Sequence, residues 1–175
     1  MYDNLRQFEA DFEEECRDYS KKIDRINAEI AKRKRMKKPI EIALGEMNTK
    51  ELVGNQHNPE VLKYFHETGS KWVKTDETAW CSAFLNWVFK TAGLSYSGKL
   101  NARSWLKIGK KVKTPKVGDV VIFWRVSKND WRGHVGMYVY ETANYIHVLG
   151  GNQNNKVCIK PYAKHRLLGY RRIEN

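Results

Sequence analysis

The sequence predicts an α+β domain in which helices pack on an antiparallel sheet, with a long helix preceding the domain. Two observations predict this fold class. In the first two thirds of the chain, apolar residues recur at helical spacing, whereas in the last third they alternate with polar residues or form short runs. Helices followed by consecutive strands are typical of such an architecture. At 175 residues, the chain is long enough to bury a core without disulfides or a structural metal.

A long amphipathic helix is predicted over residues 3–37. Its apolar residues recur at steps of three, four or seven, and no glycine or proline interrupts it. Residues 1–20 hold seven acids and two bases, whereas residues 21–38 hold two acids and nine bases, an order that suits the helix dipole. The pattern fits a solvated helix, a docking or oligomerising helix, or an arm that binds polyanions. We place the domain boundary so that residues 1–38 form this helix and residues 39–175 form the globular domain.

The globular domain begins with helices and continues with strands. The longest helix follows a cluster of cap-forming residues, Thr75 to Thr78. The predicted helical segments are residues 40–44, 60–67, 79–92 and 101–108. The later segments have period two or are short apolar runs, which predicts strands. These are residues 117–124, 134–140, 144–149, 156–159 and 167–172.

The chain is strongly basic, with a formal net charge of +12. Such a charge attracts polyanions, which include nucleic acid, anionic lipid and a cell wall rich in phosphate. Residues 1–38 contain 11 bases and 9 acids, so most of the excess lies on the globular domain. This distribution suits an anionic cell envelope, and we expect no specific nucleic acid. We also expect no transmembrane segment and a protein made in the cytosol, because no long apolar run and no secretory signal are present.

The three cysteines are Cys16, Cys81 and Cys158, an odd number at spacings that match no metal site. Cys81 falls at the first turn of the predicted helix of residues 79–92, where unpaired amides and the helix dipole favour a thiolate. It is therefore a candidate nucleophile, although a buried core cysteine fits the same position. Cys16 and Cys158 lack activating neighbours, and we interpret both as structural.

His134 is the predicted partner of this cysteine. It begins a strand of the sheet expected to pack on the Cys81 helix, the relation that a Cys and His pair needs in order to meet. Gly133 and Gly136 flank it, which suggests an uncrowded imidazole. For a third residue that orients the imidazole, His147 and Asn152 are both candidates, and we prefer Asn152. A tryptophan next to the nucleophile, Trp80, is predicted to contact substrate.

The segments around these residues resemble the motifs of NlpC-type cell-wall peptidases and, more fully, a bacterial and phage branch of that papain-like superfamily close to the CHAP amidohydrolases. The resemblance covers about residues 40–173. Its motifs are Asp76 to Phe84, Ala102 to Leu106, Pro115 to Trp124, Gly133 to Tyr138 and Leu149 to Gln153. The chain departs from the NlpC pattern where Trp80 replaces the usual aspartate and Ala83 the usual glycine. His147 matches the NlpC third residue, whereas Asn152 matches the asparagine of other papain-like enzymes.

The resemblance implies a papain-like, NlpC/CHAP-type fold and a peptidoglycan hydrolase. Such an enzyme is a cysteine endopeptidase or an N-acetylmuramoyl-L-alanine amidase, which cuts an amide bond in the stem peptide or at its junction with the sugar. Cys81 would be the nucleophile and His134 the general base, with no metal or organic cofactor. The oxyanion would be bound by the backbone amide of Cys81, and a side chain of residues 55–58 is a second candidate donor.

Two further expectations follow from the chain as a whole. The alternative function is a catalytically silent module that keeps the fold and binds polyanions or docks to a virion or another complex. For the hydrolase, the substrate lies in the periplasm or cell wall, so we expect a phage lysin released by a holin, a virion-associated lysin or a secreted effector. The partners would be peptidoglycan and, through residues 1–38, phage structural proteins or a second copy of the chain.

Overall fold

The computed structural model describes residues 14, 17–28, 38–54 and 56–174. They fall into two units that divide between Lys37 and Lys38, and each unit is described by itself. In the first unit, residues 17–28 are helical, which we call α1. Tyr19, Ile23 and Ile26 lie on it at helical spacing, and each side chain is more than half exposed. Apart from Glu14, the rest of the predicted helix of residues 3–37, including Cys16, lies outside the described residues.

The helices of the second unit lie close to the predicted segments. They are α2 (Pro39–Gly45), α3 (Pro59–His66) and α4 (Cys81–Thr91), followed by short 3₁₀ helices at Ala102–Lys107 and Lys164–Arg166. Both α2 and α3 have proline in the first turn, where its missing N–H costs no hydrogen bond. The Asn58 side chain caps α3 by accepting a hydrogen bond from the Glu60 backbone N–H. Within the described ranges, none of the helices is long and apolar enough to cross a membrane.

Six antiparallel strands form one sheet. They are β1 (Lys110–Val112), β2 (Val120–Trp124), β3 (Gly133–Glu141), β4 (Tyr145–Gly150), β5 (Cys158–Ala163) and β6 (Leu167–Arg172). Their order is β1-β6-β2-β3-β4-β5. The predicted α+β class with an antiparallel sheet is therefore confirmed. Strand β1 was missed because it has only three residues and no apolar alternation; it depends on pairing with β6.

A separate apolar cluster packs on each face of the sheet. The larger cluster joins α2, α3 and α4 to the face that carries Val135, Met137 and Leu149. The smaller one contains Phe123 of β2, and Tyr162 of β5 packs against it. These two rings stack at 4.8 Å although two strands separate β2 from β5. Because neighbouring strands lie about 4.8 Å apart, the sheet must curve strongly around the smaller cluster.

Helix α4 is the centre of the fold. Nine of its 11 residues are buried, and buried polar groups fix the segment that follows it. Ser82 Oγ donates to the carbonyl of Lys99 at 2.6 Å, and the indole N–H of Trp105 donates to Ser82 Oγ at 3.0 Å. The turn after β4 also packs closely on α4. A Cβ on Gly151 would lie only 2.7 Å from Cβ of Phe84. Only glycine fits there, so the turn after β4 lies directly against α4.

Candidate active site

Cys81 is the first residue of α4, as the sequence predicts, and only 7% of it is exposed. The predicted cap is wrong, however. The residue at the cap position is Trp80, whose side chain makes no capping hydrogen bond, and the cluster from Thr75 to Thr78 lies too far upstream. The thiol therefore lies beside the backbone amides of a helix start that no side chain caps.

Asp76 has a different role from the capping role that was predicted. It is fully buried, and its carboxylate accepts hydrogen bonds from the backbone N–H groups of Leu52 and Asn58, both at 2.9 Å, and from Nδ1 of His57 at 3.0 Å. Burial alone raises the pKa of Asp76, but these donors outweigh it and hold the pKa below its ordinary value. Asp76 thus joins the loop that precedes Cys81 to residues 52–58.

His134 lies on β3, is 1% exposed and stacks on Tyr162 at 4.7 Å between ring centroids. Its Nε2 is 3.0 Å from Oε1 of Gln153. Its Nδ1 is also buried but has no hydrogen-bond partner among the described residues. Buried polar nitrogens are rarely left unpaired, so this atom is a candidate for a chemical role.

Gln153 determines which nitrogen of His134 carries the hydrogen. Its amide Nε2 donates to the carbonyl oxygens of Val148, at 3.1 Å, and of Cys158. Because both amide hydrogens are used, Oε1 is the atom that faces the imidazole, and an amide oxygen can only accept. Nε2 of His134 must therefore be the donor. In the neutral ring, this leaves Nδ1 as an unprotonated acceptor.

The structure corrects the predicted third residue. Asn152 lines the same cavity as His134, but no hydrogen bond joins the two side chains in the described structure. The backbone at Asn152 is left-handed, with a φ of 53°, and the residue that reaches the imidazole from this turn is Gln153. Gln153 belongs to the motif that carried the resemblance, but sequence alone did not show which of two adjacent amides faces inward.

His147 is not on the imidazole either. It lies between Ile146 and Val148 on β4, and both of these belong to the smaller cluster, the one against which Tyr162 packs. Successive side chains on a strand point to opposite faces, so His147 points away from the face of the sheet where His134 stacks on Tyr162. Its ring stacks on Tyr140 instead, at 4.0 Å.

The glycines around His134 are required by neighbouring strands and not by the imidazole. A Cβ on Gly133 would lie 2.8 Å from the carbonyl oxygen of Phe123 on β2. A Cβ on Gly136 would lie 2.9 Å from the carbonyl oxygen of Leu149 on β4. The expectation that these glycines keep the ring uncrowded is therefore wrong. The ring is in fact covered on one face by Tyr162.

Burial sets the protonation of both reactive groups. It raises the pKa of Cys81, although the Val135 backbone N–H, the Arg125 charge and the amides of Ser82 and Cys81 act in the opposite direction. Burial also lowers the pKa of His134 to about 3; the Gln153 hydrogen bond opposes this, and the charges of Arg125 and Lys160 add to it. Both shifts favour the neutral thiol and the neutral imidazole, and burial thus opposes the tendency of the helix start to favour a thiolate.

Cys81 and His134 line one cavity of about 190 Å³, and Arg125, Trp131 and Asn152 line it with them. Trp80 does not contribute to it. Its indole is fully buried and donates to a carboxylate oxygen of Glu51 at 2.6 Å, so the prediction that Trp80 contacts substrate is wrong. Trp131, which is 68% exposed, is the tryptophan at the cavity.

The second candidate oxyanion donor is not supported by the described residues of segment 55–58. The His57 ring is bound to Asp76, and the Asn58 side chain caps α3 and donates to the carbonyl of Lys50. Residues 56–58 do not line the cavity, and Asn55 lies outside the described residues. Among the described groups, the backbone N–H of Val135 and the amides at the start of α4 are the donors close to the thiol.

The buried neutral His134 predicts a pH-dependent stability. Between its ordinary pKa of 6.5 and the folded value of about 3, the unfolded chain binds a proton that the folded chain does not. Stability therefore decreases as the pH falls through this range, by about 1.4 kcal/mol per pH unit. Urea unfolding at pH 6.5, 5.5 and 4.5 measures this slope. In His134→Gln, which cannot titrate, the slope should be much smaller; an equal slope would contradict the burial of a neutral imidazole.

The chain therefore has an α+β fold in which a helix that begins with a cysteine packs on an antiparallel sheet that supplies a histidine. Residues 73–152 match the family model of the CHAP domain. This match supports the predicted resemblance to an NlpC/CHAP-type fold. The CHAP match suggests a peptidoglycan-related hydrolase family. No curated protein matches the chain.

Three solved structures are similar to the chain. A lipoprotein-like protein of the NLP/P60 family from Staphylococcus aureus is 16% identical over 71% of this chain, with a TM-score of 0.40, and the chain spans 45% of its length. RipD from Mycobacterium tuberculosis, described as a non-catalytic NlpC/p60 domain protein adapted to peptidoglycan binding, is 14% identical over 79% of this chain and 98% of its own, with a TM-score of 0.43. The P60 domain of an antigen from M. avium paratuberculosis is 13% identical over 75% of this chain and 90% of its own, with a TM-score of 0.41.

Proposed function

We propose that the protein is a cysteine hydrolase that cleaves an amide bond of peptidoglycan, in the stem peptide or at its junction with the sugar. One observation carries the proposal. The Cys81 thiol and His134 line the same cavity, and the Nδ1 atom of His134 is a buried acceptor without a partner in the described structure. Gln153 keeps the imidazole in the tautomer that accepts a proton at this atom.

The proposed mechanism begins from the neutral pair. As the sulfur of Cys81 attacks the amide carbon, Nδ1 of His134 accepts the thiol proton, and the carbonyl oxygen becomes an oxyanion near the amides of Cys81 and Ser82. The C–N bond breaks when His134 returns the proton to the leaving amine. Water then attacks the thioester, with His134 again accepting a proton, and releases the carboxylic acid and the free thiol.

Charge supports an anionic wall polymer as substrate. Most of the formal +12 belongs to residues 39–175, the unit with the cavity. We propose that the enzyme acts in the periplasm or cell wall, as a phage lysin released by a holin, as a virion-associated lysin or as a secreted effector. The alternative is a catalytically silent module that keeps the fold and binds polyanions or docks to a virion or another complex.

Digestion of purified sacculi tests the proposal. The full chain should release soluble fragments, and mass spectrometry of these fragments should show new amine and carboxyl ends at one type of amide bond. Cys158→Ala serves as the matched control for Cys81→Ala, because Cys158 is the other free thiol among the described residues. The Cys158 thiol contacts the backbone carbonyl of Gln153 and does not line the cavity. Binding to sacculi without release of fragments would overturn the proposal and favour the binding module.

The assignment of Gln153 as the positioning residue predicts a difference between two adjacent amides. Gln153→Ala should lower kcat by about 10²-fold, because the imidazole loses the acceptor that selects its tautomer. Asn152→Ala should change kcat by less than about 10-fold, since it makes no bond to His134. Initial rates on sacculi, together with thermal melting of both variants, measure this. The reverse order of effects would return the role to Asn152.

We also propose that residues 1–38 mediate attachment or self-association. The proposal is supported by three exposed apolar side chains on α1, those of Tyr19, Ile23 and Ile26. Their spacing of four and three residues places them on one face of the helix. Sedimentation velocity of the full chain should show an oligomer, and Ile23→Glu should shift it toward the monomer. A full chain that stays monomeric and attaches to no phage or envelope component would refute this role.

A further inference from the structure

The loop between β2 and β3, residues 125–132, forms one wall of the cavity through Arg125, Trp131 and Arg132. Two hydrogen bonds from one side chain hold it. The guanidinium of Arg103 donates to the carbonyl oxygens of Lys128, at 3.0 Å, and Ser127, at 3.2 Å. These bonds fix the loop beside Cys81 and His134 without using the groups that face the cavity.

The arginines near this wall differ in what they bind. Arg103 is used by the loop carbonyls, and Arg132 forms a two-pronged pair with Asp130, with N–O distances of 2.8 and 2.9 Å. The Arg125 guanidinium has neither a hydrogen bond nor an ion pair with any residue that the structure describes. No aspartate or glutamate lines the cavity within the same ranges. The cavity therefore holds one positive charge that the described chain does not balance.

Arg125 lines the same cavity as Cys81 and His134, and its charge acts on both of them. It lowers the pKa of the Cys81 thiol and the pKa of the His134 imidazole. A ligand group that binds Arg125 would accordingly lie next to the bond that is cut. A planar guanidinium matches a carboxylate with two parallel hydrogen bonds, and such a pair is stronger in a partly enclosed cavity than in open water.

We propose that Arg125 is a specificity-determining residue that binds a free carboxylate on the substrate residue next to the scissile amide, with Trp131 covering the apolar part of that residue. The inference rests on the proposed function and adds a substrate class to it. The enzyme should cut stem peptides with a free carboxylate at this position and should cut the same peptides poorly when that carboxylate is a carboxamide.

The experiment compares two preparations of the same sacculi. One is treated with carbodiimide and ammonium chloride, which converts free carboxylates to carboxamides, and the other is mock-treated. Wild type should release fragments from the amidated sacculi about 10- to 100-fold more slowly. Arg125→Gln should be slow on mock-treated sacculi and should lose little more on amidated sacculi. Lys128→Gln removes one charge from the same loop outside the cavity and should keep the wild-type ratio.

The two proposals fail in different ways. If Arg125→Gln keeps the wild-type preference for mock-treated sacculi, or if Lys128→Gln loses it equally, the role of Arg125 is overturned while the hydrolase stands. If wild type cuts neither preparation, the hydrolase fails, and cosedimentation of Cys81→Ala with each preparation decides the inference. Tighter binding to mock-treated sacculi that depends on Arg125 then supports carboxylate recognition, and equal binding overturns it.

Discussion

Replacing Cys81 with alanine should abolish hydrolysis of peptidoglycan and leave the fold and the binding of sacculi intact. The thiol supplies the attacking atom, and removal of a nucleophile lowers kcat by at least about 10³-fold. The buried site loses one sulfur, which costs on the order of 1 kcal/mol of stability, a small part of the total. Fragment release from sacculi measures activity, and cosedimentation with the same sacculi measures binding.

Two controls make this prediction specific. Cys158→Ala should keep activity within a few fold, because Cys158 does not line the cavity. Circular dichroism and thermal melting should show that Cys81→Ala is folded. If the folded Cys81→Ala variant degrades sacculi at the wild-type rate, then the cavity that contains Cys81 and His134 is not the active site.

Replacing Asp76 with alanine should lower the free energy of unfolding by about 3–5 kcal/mol. Three donors depend on its carboxylate: the backbone N–H groups of Leu52 and Asn58 and the ring of His57. Alanine would leave these buried donors unpaired and release the segment that they hold. Asp76→Asn keeps one acceptor oxygen and should lose less stability than Asp76→Ala. Urea unfolding at pH 7 measures both variants.

The pH dependence of the same contact has a definite sign. The pKa of Asp76 in the fold lies below its ordinary value of 3.8, so its contribution is fully present above that value and is lost as the pH falls through the folded pKa. Glu77→Gln is the matched control, because Glu77 is adjacent and exposed, and it should change stability by less than about 0.5 kcal/mol. Equal stability of Asp76→Ala and wild type would contradict the anchoring role.

The positions of Cys81 and His134 could be predicted from the sequence because each residue lies within a strong local pattern. Cys81 begins an amphipathic helix, and His134 begins an apolar strand, so both positions follow from periodicity. Gln153 could not be predicted in this way. The direction of the Gln153 side chain depends on the left-handed backbone of Asn152 and on carbonyl partners in β4 and β5, which no local pattern encodes.

Two tryptophans show the same difference between what the sequence predicts and what only the structure shows. Trp80 and Trp131 both lie beside functional motifs, and sequence alone favoured Trp80. The structure buries Trp80 against Tyr64 and Phe84 and leaves Trp131 on the cavity wall. The sequence shows that an aromatic residue is near the site, whereas its exposure depends on what packs over it from elsewhere in the chain.

The sequence by itself determined the α+β class, the order of the helices and of five of the six strands, and the cysteine and histidine that line the cavity. These follow from spacing within short segments. Only the tertiary structure decided the chemical state of the pair, the amide that orients the imidazole and the unbalanced charge of Arg125. These depend on desolvation and on contacts between residues far apart in the chain. Burial raises the pKa of Cys81 and so opposes the thiolate that the helix start favours, because the cost of removing the charge from water outweighs the nearby amides.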